Sequence, residues 1–324
     1  MGTRERRLRS NESDRLISEL FLASGADSQE VAIAAVGSFG RGELSPGSDL
    51  DIVILHSGAI ESAELTQVVN AILYPLWDRK IKVDHSVRTK SEVRAALADD
   101  LKVAMGLLDI RWICGNNELV SEVQALALEC WRSDAKRYLA LLEESLTERY
   151  QRNGELAYLL EPDLKESRGG LRDVTALRAI NLSGALRLPM ERISQAESLL
   201  STVREALHIV SGRDKDKLLF TEQDKVATTL GYGDADLLMS DVAQSARAVD
   251  YLMDMAWHQY HHQSSSGFAK IFRKKKVTTV APGITVINKE VFIDPTFDID
   301  RDPVIGLRAA AIAAQLGARL SFDS

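Results

Sequence analysis

The sequence predicts an α+β fold in two main parts, with strands and helices mixed over residues 1–117 and a largely helical domain over 118–265. A third segment, 266–324, is expected to hold a β-hairpin and a C-terminal helix. Three observations carry this reading. Residues 31–36 are an unbroken apolar run, too short for a helix and suited to a buried strand. Residues 49–55, Asp-Leu-Asp-Ile-Val-Ile-Leu, are rich in β-branched side chains. From about residue 118 to His262, apolar positions recur at helical spacing over long stretches.

Residues 1 to about 13 are polar and are expected to fray. A short helix follows on Leu16, Ile17, Leu20 and Phe21, with Gly25 as its stop. The run 31–36 ends in Gly37-Ser38, and 37–47, rich in Gly, Ser and Pro, reads as turn or a short helix. Strand 49–55 comes next, then an amphipathic helix over 61–78 with Leu65, Val68, Val69, Ile72 and Leu76 on one face. Residues 81–87 alternate apolar and polar as a third strand does, and helices are expected near 91–98 and 100–110. The helical part reads as 131–150, 171–186, 193–212 and 237–262. A flexible connection at 263–267, a basic run at 273–276, strands at 284–287 and 290–293 joined by Asn288-Lys289, and a helix near 303–316 complete the chain.

The bulk numbers narrow the function. At 324 residues there is room for two domains. A net charge of −7 argues against a broad nucleic-acid interface, which leaves a basic footprint, but leaves room for a local basic pocket. No apolar stretch is long enough to span a bilayer, and the charged first 13 residues lack the apolar core of a signal peptide. The two cysteines, Cys114 and Cys130, lie in apolar surroundings with no metal-type spacing and read as buried small hydrophobes, in keeping with a reducing cytoplasm.

The chemistry concentrates in Gly37-Ser38-Phe39-Gly40-Arg41-Gly42-Glu43-Leu44-Ser45-Pro46-Gly47-Ser48-Asp49-Leu50-Asp51. Gly37 and Ser38 stand at a strand end, where backbone N–H groups of the following turn and the Ser38 hydroxyl can meet phosphate oxygens. Gly40 and Gly42 permit close approach of backbone to a ligand. Side chains alternate along a strand, so Asp49 and Asp51 share a face. Two carboxylates so placed repel unless a cation lies between them, and Mg²⁺ takes one or two carboxylates plus phosphate oxygens. Arg41 reads equally as a phosphate contact or as a salt bridge to Glu43 or Asp49. His85 alternates with Asp84, so it is expected on the other side of the sheet as a packing residue. The 273–276 run reads as a solvated charge cluster, and His261-His262 as structural.

Gly-Ser followed about ten residues later by Asp-x-Asp, between two apolar strands, resembles the signature of the DNA polymerase β nucleotidyltransferase superfamily. That resemblance implies a polymerase-β-like nucleotidyltransferase domain, Mg²⁺, and a third carboxylate on a neighbouring strand to take a proton from the attacking hydroxyl. Asp84, the acid in the middle of the third predicted strand, fits that place. A closer resemblance lies in Trp77-Asp78 with Val83-Asp84-His85-Ser86-Val87-Arg88-Thr89, and in Glu161-Pro162-Asp163-Leu164-Lys165-Glu166 with Gly169-Gly170-Leu171-Arg172-Asp173. Both stretches look like motifs of the PII uridylyltransferases, although some members carry glycine at the position of Asp84. On the residues alone, Lys165, Arg168 and Arg172 read evenly as triphosphate contacts or as internal salt bridges; the resemblance favours the former.

The resemblance, covering about 31–262, implies transfer of UMP or AMP from UTP or ATP to a tyrosine of the PII signalling protein, with release of pyrophosphate. It implies Asp49, Asp51 and Asp84 as catalytic and metal-binding residues. It implies Gly37, Ser38, Arg41, Ser48, Arg88, Lys165, Gly170 and Arg172 as nucleotide-binding. The segments around 281–283 and 300–311 look like actinobacterial relatives, for which ATP is expected. Longer members continue into HD phosphohydrolase and ACT domains. None of the six histidines here is followed by aspartate, so transfer without removal or glutamine sensing is expected. The rival readings are another enzyme of the superfamily, acting on a small molecule or on glutamine synthetase, and a non-catalytic nucleotide sensor.

Overall fold

The computed structural model describes residues 2–264, 278–287, 290–294, 297 and 302–321. In chain order the first elements are α1 (Thr3–Ala23), β1 (Val31–Ala35), the single turn α2 (Gly37–Gly40), β2 (Leu50–His56), α3 (Ser62–Asp78) and β3 (Val83–Arg88). Then come α4 (Lys90–Asp99), α5 (Leu101–Leu107) and β4 (Arg111–Gly115). The strands form one mixed sheet in the order β3-β2-β1-β4. β1 runs antiparallel to both β2 and β4, whereas β2 and β3 are parallel, joined by the α3 crossover.

Both faces of this sheet are covered, which is why β1 reads as a continuous apolar run. One face carries Val31, Ile33, Leu50, Ile52 and Ile54 against Ile17 and Phe21 of α1 and Val68, Ile72 and Leu76 of α3. The opposite face carries Ala32, Ala34, Val53 and Leu55 against Val93 and Leu97 of α4 and Ala104 and Leu107 of α5. By strand alternation, Asp51 lies on the face of Val53 and Leu55. A carboxylate is thereby set at the end of an otherwise apolar row.

The helical part comprises α6 (Asn117–Ser133), α7 (Ala135–Asn153), α8 (Leu171–Leu182), α9 (Ser194–Ser211), α10 (Phe220–Leu230) and α11 (Ala235–Ser264). The Asn116 side chain caps α6 by accepting from the N–H groups of Glu118 and Leu119. Trp131 stacks on Tyr138 at 4.6 Å and donates its indole N–H to the Ala179 carbonyl at 2.8 Å, which ties α6 and α7 to α8. The chain divides into two compact units, Met1–Ala256 and Trp257–Ser324. The second holds β5 (Thr278–Ala281), β6 (Ile284–Ile287), β7 (Glu290–Ile293), α12 (Ile305–Leu316) and β8 (Arg319–Leu320). Its sheet runs β5-β6-β7-β8 around Ile284, Val291, Ile305, Ala309 and Ala313.

Three local expectations are corrected. The N-terminal segment is helical from Thr3, because Arg6 and Arg9 pair with the buried Glu205 of α9 and so fix it from a distance. The stretch 131–150 is two helices, broken at Asp134. Arg111–Gly115, not expected as a strand, completes the sheet on the far side of β1. The Asn288-Lys289 turn and the basic run at 273–276 lie outside the described residues.

Candidate active site

The β2–β3 register decides where the acids stand. Leu50 pairs with Val83 and Asp51 with Asp84, so these two carboxylates are direct cross-strand neighbours on parallel strands. Asp49 precedes β2 in the loop and is exposed, as is Asp84, whereas Asp51 is half-buried. Burial pushes the Asp51 carboxyl up, and the charges of Asp84 and Asp49 push it further; Lys165 and Arg172 oppose them. The charges that act on Asp51 thus come from two distant stretches of chain, 49–84 and 165–172. Among the described residues, no three acidic or histidine side chains stand in a complete metal-ligand arrangement. The two-carboxylate share that Mg²⁺ takes beside phosphate oxygens demands less.

Gly37 sits directly against Asp51. It has φ +57°, and a Cβ there would lie 3.3 Å from Asp51 Oδ2. A side chain would be strained and would crowd the carboxylate. The Val36 N–H donates to the Asp51 carbonyl at 3.0 Å, which clasps the α2 turn to β2. Ser38 follows in α2, whose first amides lack intrahelical partners. Gly40 has another role than ligand approach: a Cβ there would lie 2.0 Å from the Asp109 carbonyl oxygen, so it is a packing glycine.

Of the two readings open for Arg41, the geometry favours the local one. Its guanidinium pairs with Glu43 Oε2 at 2.7 Å and with Asp109, and its side chain is 18% exposed. Glu43 in turn meets Arg178 of α8 at 3.4 Å, and Arg178 also pairs with Glu197 of α9. Ser48 closes a turn through its N–H to the Ser45 carbonyl at 3.1 Å. Arg88 is not brought to the acids. It lies opposite Leu55, four residues beyond Asp84, roughly 13 Å along the strand. His85 packs edge-on against Trp77 of α3 at 6.2 Å, on the far side of the sheet from Asp84.

The basic side comes from the loop before α8. Asp163 accepts from the N–H groups of Lys165 and Glu166 at 2.9 and 2.7 Å, and the N–H groups of Leu171 and Arg172 return to the carbonyls of Leu164 and Lys165. Gly170 makes this fold-back possible, since a Cβ there would meet three carbonyl oxygens at 2.8–3.0 Å. Beneath it Asp173, fully buried, accepts from Arg149, from the Tyr150 hydroxyl at 3.0 Å and from the Gly169 N–H at 2.6 Å. Arg172 is half exposed and pairs with Glu166 at 2.8 Å. Burial, with Arg172 and Arg204 nearby, holds the Lys165 ammonium below its ordinary range; its pairing with Asp216, at 4.0 Å, is too long to restore it. A cation so placed gains from an incoming anion.

Residues that the sequence did not single out complete the arrangement. Arg204 and His208 of α9 and Asp216 of the α9–α10 connection stand between the Ser45-Pro46 turn and Lys165. Arg204 and His208 stand one helical turn apart on α9, whereas Asp216 lies outside any helix and carries no such spacing.

Comparison with known proteins agrees with this geometry. A nucleotidyltransferase-domain model matches residues 18–104, the part that carries β1, β2, β3 and the acids. A model described as GlnD PII-uridylyltransferase matches 138–182 and 186–257, the part that carries Lys165, Arg172 and α9. The chain belongs to the PII-uridylyltransferase family. Members named bifunctional uridylyltransferase/uridylyl-removing enzyme resemble it over nearly its whole length. The Streptomyces coelicolor protein is 38% identical over 99% of this chain and 40% of its own. That of Mycobacterium tuberculosis is 34% identical over 90% and 37%, and that of Corynebacterium glutamicum 32% over 93% and 42%. The chain thus spans about two fifths of the length of these relatives. No helix among the described residues is long and apolar enough to cross a membrane.

Proposed function

We propose that this chain transfers a nucleoside monophosphate, UMP from UTP or AMP from ATP, to a tyrosine hydroxyl of the PII signalling protein. The single observation that carries this is the convergence at Asp51. Asp84 pairs with it across the sheet, Asp49 adds a third acid, and the charges of Lys165 and Arg172 from the helical part bear on the same carboxylate. Acids crowded so that one is pushed up suit a divalent cation. Asp49 and Asp51 would hold Mg²⁺, with Asp84 completing the set. The cation, when bound, neutralises phosphate charge and aligns the triphosphate for in-line attack.

The chain's own residues supply the rest. The acceptor oxygen bonds to the α-phosphorus as the bond to the bridging oxygen breaks, and pyrophosphate leaves with that electron pair. The hydroxyl proton passes to the exposed Asp84 carboxylate. Lys165 and Arg172 stabilise the charge growing on pyrophosphate. Gly37 leaves room beside Asp51, and Ser38 offers a hydroxyl and a backbone N–H to the triphosphate. Gly170 holds the basic loop in its fold, Ser48 supports the turn ahead of Asp49, and Arg41 steadies the phosphate-side turn through Glu43. Arg88 would act at the rim, toward the acceptor. The relatives' names favour UTP; the tail resemblance favours ATP. The free Cys114 and Cys130 suit action in a reducing cytoplasm.

Intact mass measurement of PII after incubation with the chain, Mg²⁺ and either nucleotide tests the reading. One UMP or AMP gained per PII subunit, lost with Asp49→Ala/Asp51→Ala, is the expected result. No gain with either nucleotide, with PII's effectors present, sinks it.

A further inference from the structure

Two polar residues of α9 each bridge the Ser45-Pro46 turn and Asp216. His208, 3% exposed, places Nδ1 2.9 Å from the Pro46 carbonyl and Nε2 2.8 Å from Asp216 Oδ1. The carbonyl only accepts, so Nδ1 donates. Arg204, one helical turn earlier, donates Nη1 to Ser45 Oγ at 3.0 Å, Nε to Asp216 Oδ1 at 2.6 Å and Nη2 to Oδ2 at 3.3 Å.

Each partner leads to one side of the candidate active site. Pro46 stands three residues ahead of Asp49, and the Ser48 N–H returns to the Ser45 carbonyl, so the turn that α9 grips is the one that delivers Asp49. Asp216 accepts the Leu164 N–H at its main-chain oxygen at 2.8 Å and faces Lys165 Nζ at 4.0 Å. Asp163 and Lys217 form an antiparallel bridge beside it, and the Leu218 N–H donates to Pro162 at 2.9 Å. The segment that carries Lys165 is therefore laid against 216–218.

We infer that His208 and Arg204 are positioning residues that set the spacing between the acid side of the site, through Pro46 and Ser45, and its phosphate side, through Asp216. This rests on the nucleotidyl-transfer reading and deepens it. A spacing role differs from general support of the fold, because the two ends of the imidazole serve different halves of the site.

That difference supplies the test. An Asn amide nitrogen overlies His Nδ1 and a Gln amide nitrogen overlies Nε2. His208→Asn keeps the Pro46 tether and loses Asp216; His208→Gln keeps Asp216 and loses Pro46. Two probes are titrated into the full chain: Mn²⁺, followed by the electron paramagnetic resonance of free ion, and inorganic tripolyphosphate, followed by calorimetry. His208→Gln is expected to weaken Mn²⁺ about three- to tenfold, the size of one hydrogen bond, and to leave tripolyphosphate within about twofold. His208→Asn is expected to do the converse. Arg204→Lys, which cannot bridge both partners at once, is expected to weaken both probes. Thermal melting of each variant separates these shifts from loss of fold. Either probe unmoved in its own variant, or both weakened in parallel with the melting temperature in both His208 variants, overturns the inference. Parent Mn²⁺ binding that survives Asp49→Ala/Asp51→Ala overturns the nucleotidyl-transfer reading, and this inference with it. Acid-dependent Mn²⁺ binding that ignores His208 overturns this inference alone.

Discussion

Arg149→Met removes the cation from the buried carboxylate under the Lys165 loop. Asp173 is wholly buried and the Arg149 side chain is 8% exposed, so no water can replace the guanidinium. Breaking a buried pair from one side costs about 3–5 kcal/mol, because the charge left behind is uncompensated. For a unit of this size each kcal/mol moves the melting temperature by about 2–4 °C, so a loss of roughly 6–20 °C is expected. Burial already pushes the Asp173 carboxyl up, and the Arg149 charge is what chiefly opposes it. An acid raised above its unfolded value contributes stability below that value and loses it as pH rises through the folded one. The deficit of Arg149→Met should therefore be largest near neutrality and shrink as pH falls. Adding Asp173→Asn removes the stranded charge. The Asn oxygen can accept the Gly169 N–H, and its NH₂ can donate to the Tyr150 hydroxyl, which turns to accept. At least half the lost stability should return. Calorimetric melting of parent, single and double variants between pH 5 and 8 is the assay. A double variant no more stable than Arg149→Met would refute the stranded-charge argument.

Four further outcomes follow from the same structure. Asp84→Asn should lower kcat about a hundredfold or more with little change in KM for the nucleotide, read by initial rates of PII modification; an unchanged kcat removes Asp84 as base. Gly170→Ala should cost about 1–3 kcal/mol and raise the nucleotide KM, since its Cβ would meet the carbonyls of Ser167, Leu164 and Lys165; denaturant melts and kinetics report it. Asp216 is partly buried, which alone would raise it, but His208 and Arg204 hold it down to about 2. Its stabilisation, about 2 kcal/mol, is present above about pH 4 and lost as pH falls toward 2, and Asp216→Asn should flatten that acid limb. The Cys114 thiol is pushed up to about 12 by burial, so about one part in ten thousand is thiolate at pH 8. Iodoacetamide should label it only after unfolding, and rapid labelling of the native chain counts against the described burial.

Much of the sheet was legible because period and burial agree there. β1 and β2 are covered on both faces, so their apolar runs stand out, and the alternation in 81–87 marks a half-covered edge strand. β4 was missed because five residues between two helices give too little pattern. The helical start at Thr3 was missed for a different reason. Its charged residues look like a solvated tail, and it is partners such as Glu205, almost two hundred positions away, that make them structural.

The site divides along the same line, and the division bears on how the chain works. The position of Asp51 was legible because strand alternation is local, and that of Asp84 because its place in β3 fixes its register against Asp51, whereas Asp49 stands in the loop before β2 and outside the alternation expected to place it. The choice between phosphate contact and salt bridge for Arg41 was not, since the deciding partner is Asp109, in another loop. Nor was α9, whose Arg204, Glu205 and His208 each answer a group far along the chain. An isolated sheet domain would keep its acids but lose the α9 contacts to the turn that precedes Asp49. Ser45 leans on Arg204 and Pro46 on His208, both of α9, whereas Leu44 keeps its hold on Arg9 and Ser10 of α1. The acids are carried by the sheet and aimed by the helices. Substitutions on the buried side of α9 should therefore affect nucleotide chemistry more than their distance in sequence from Asp49 suggests.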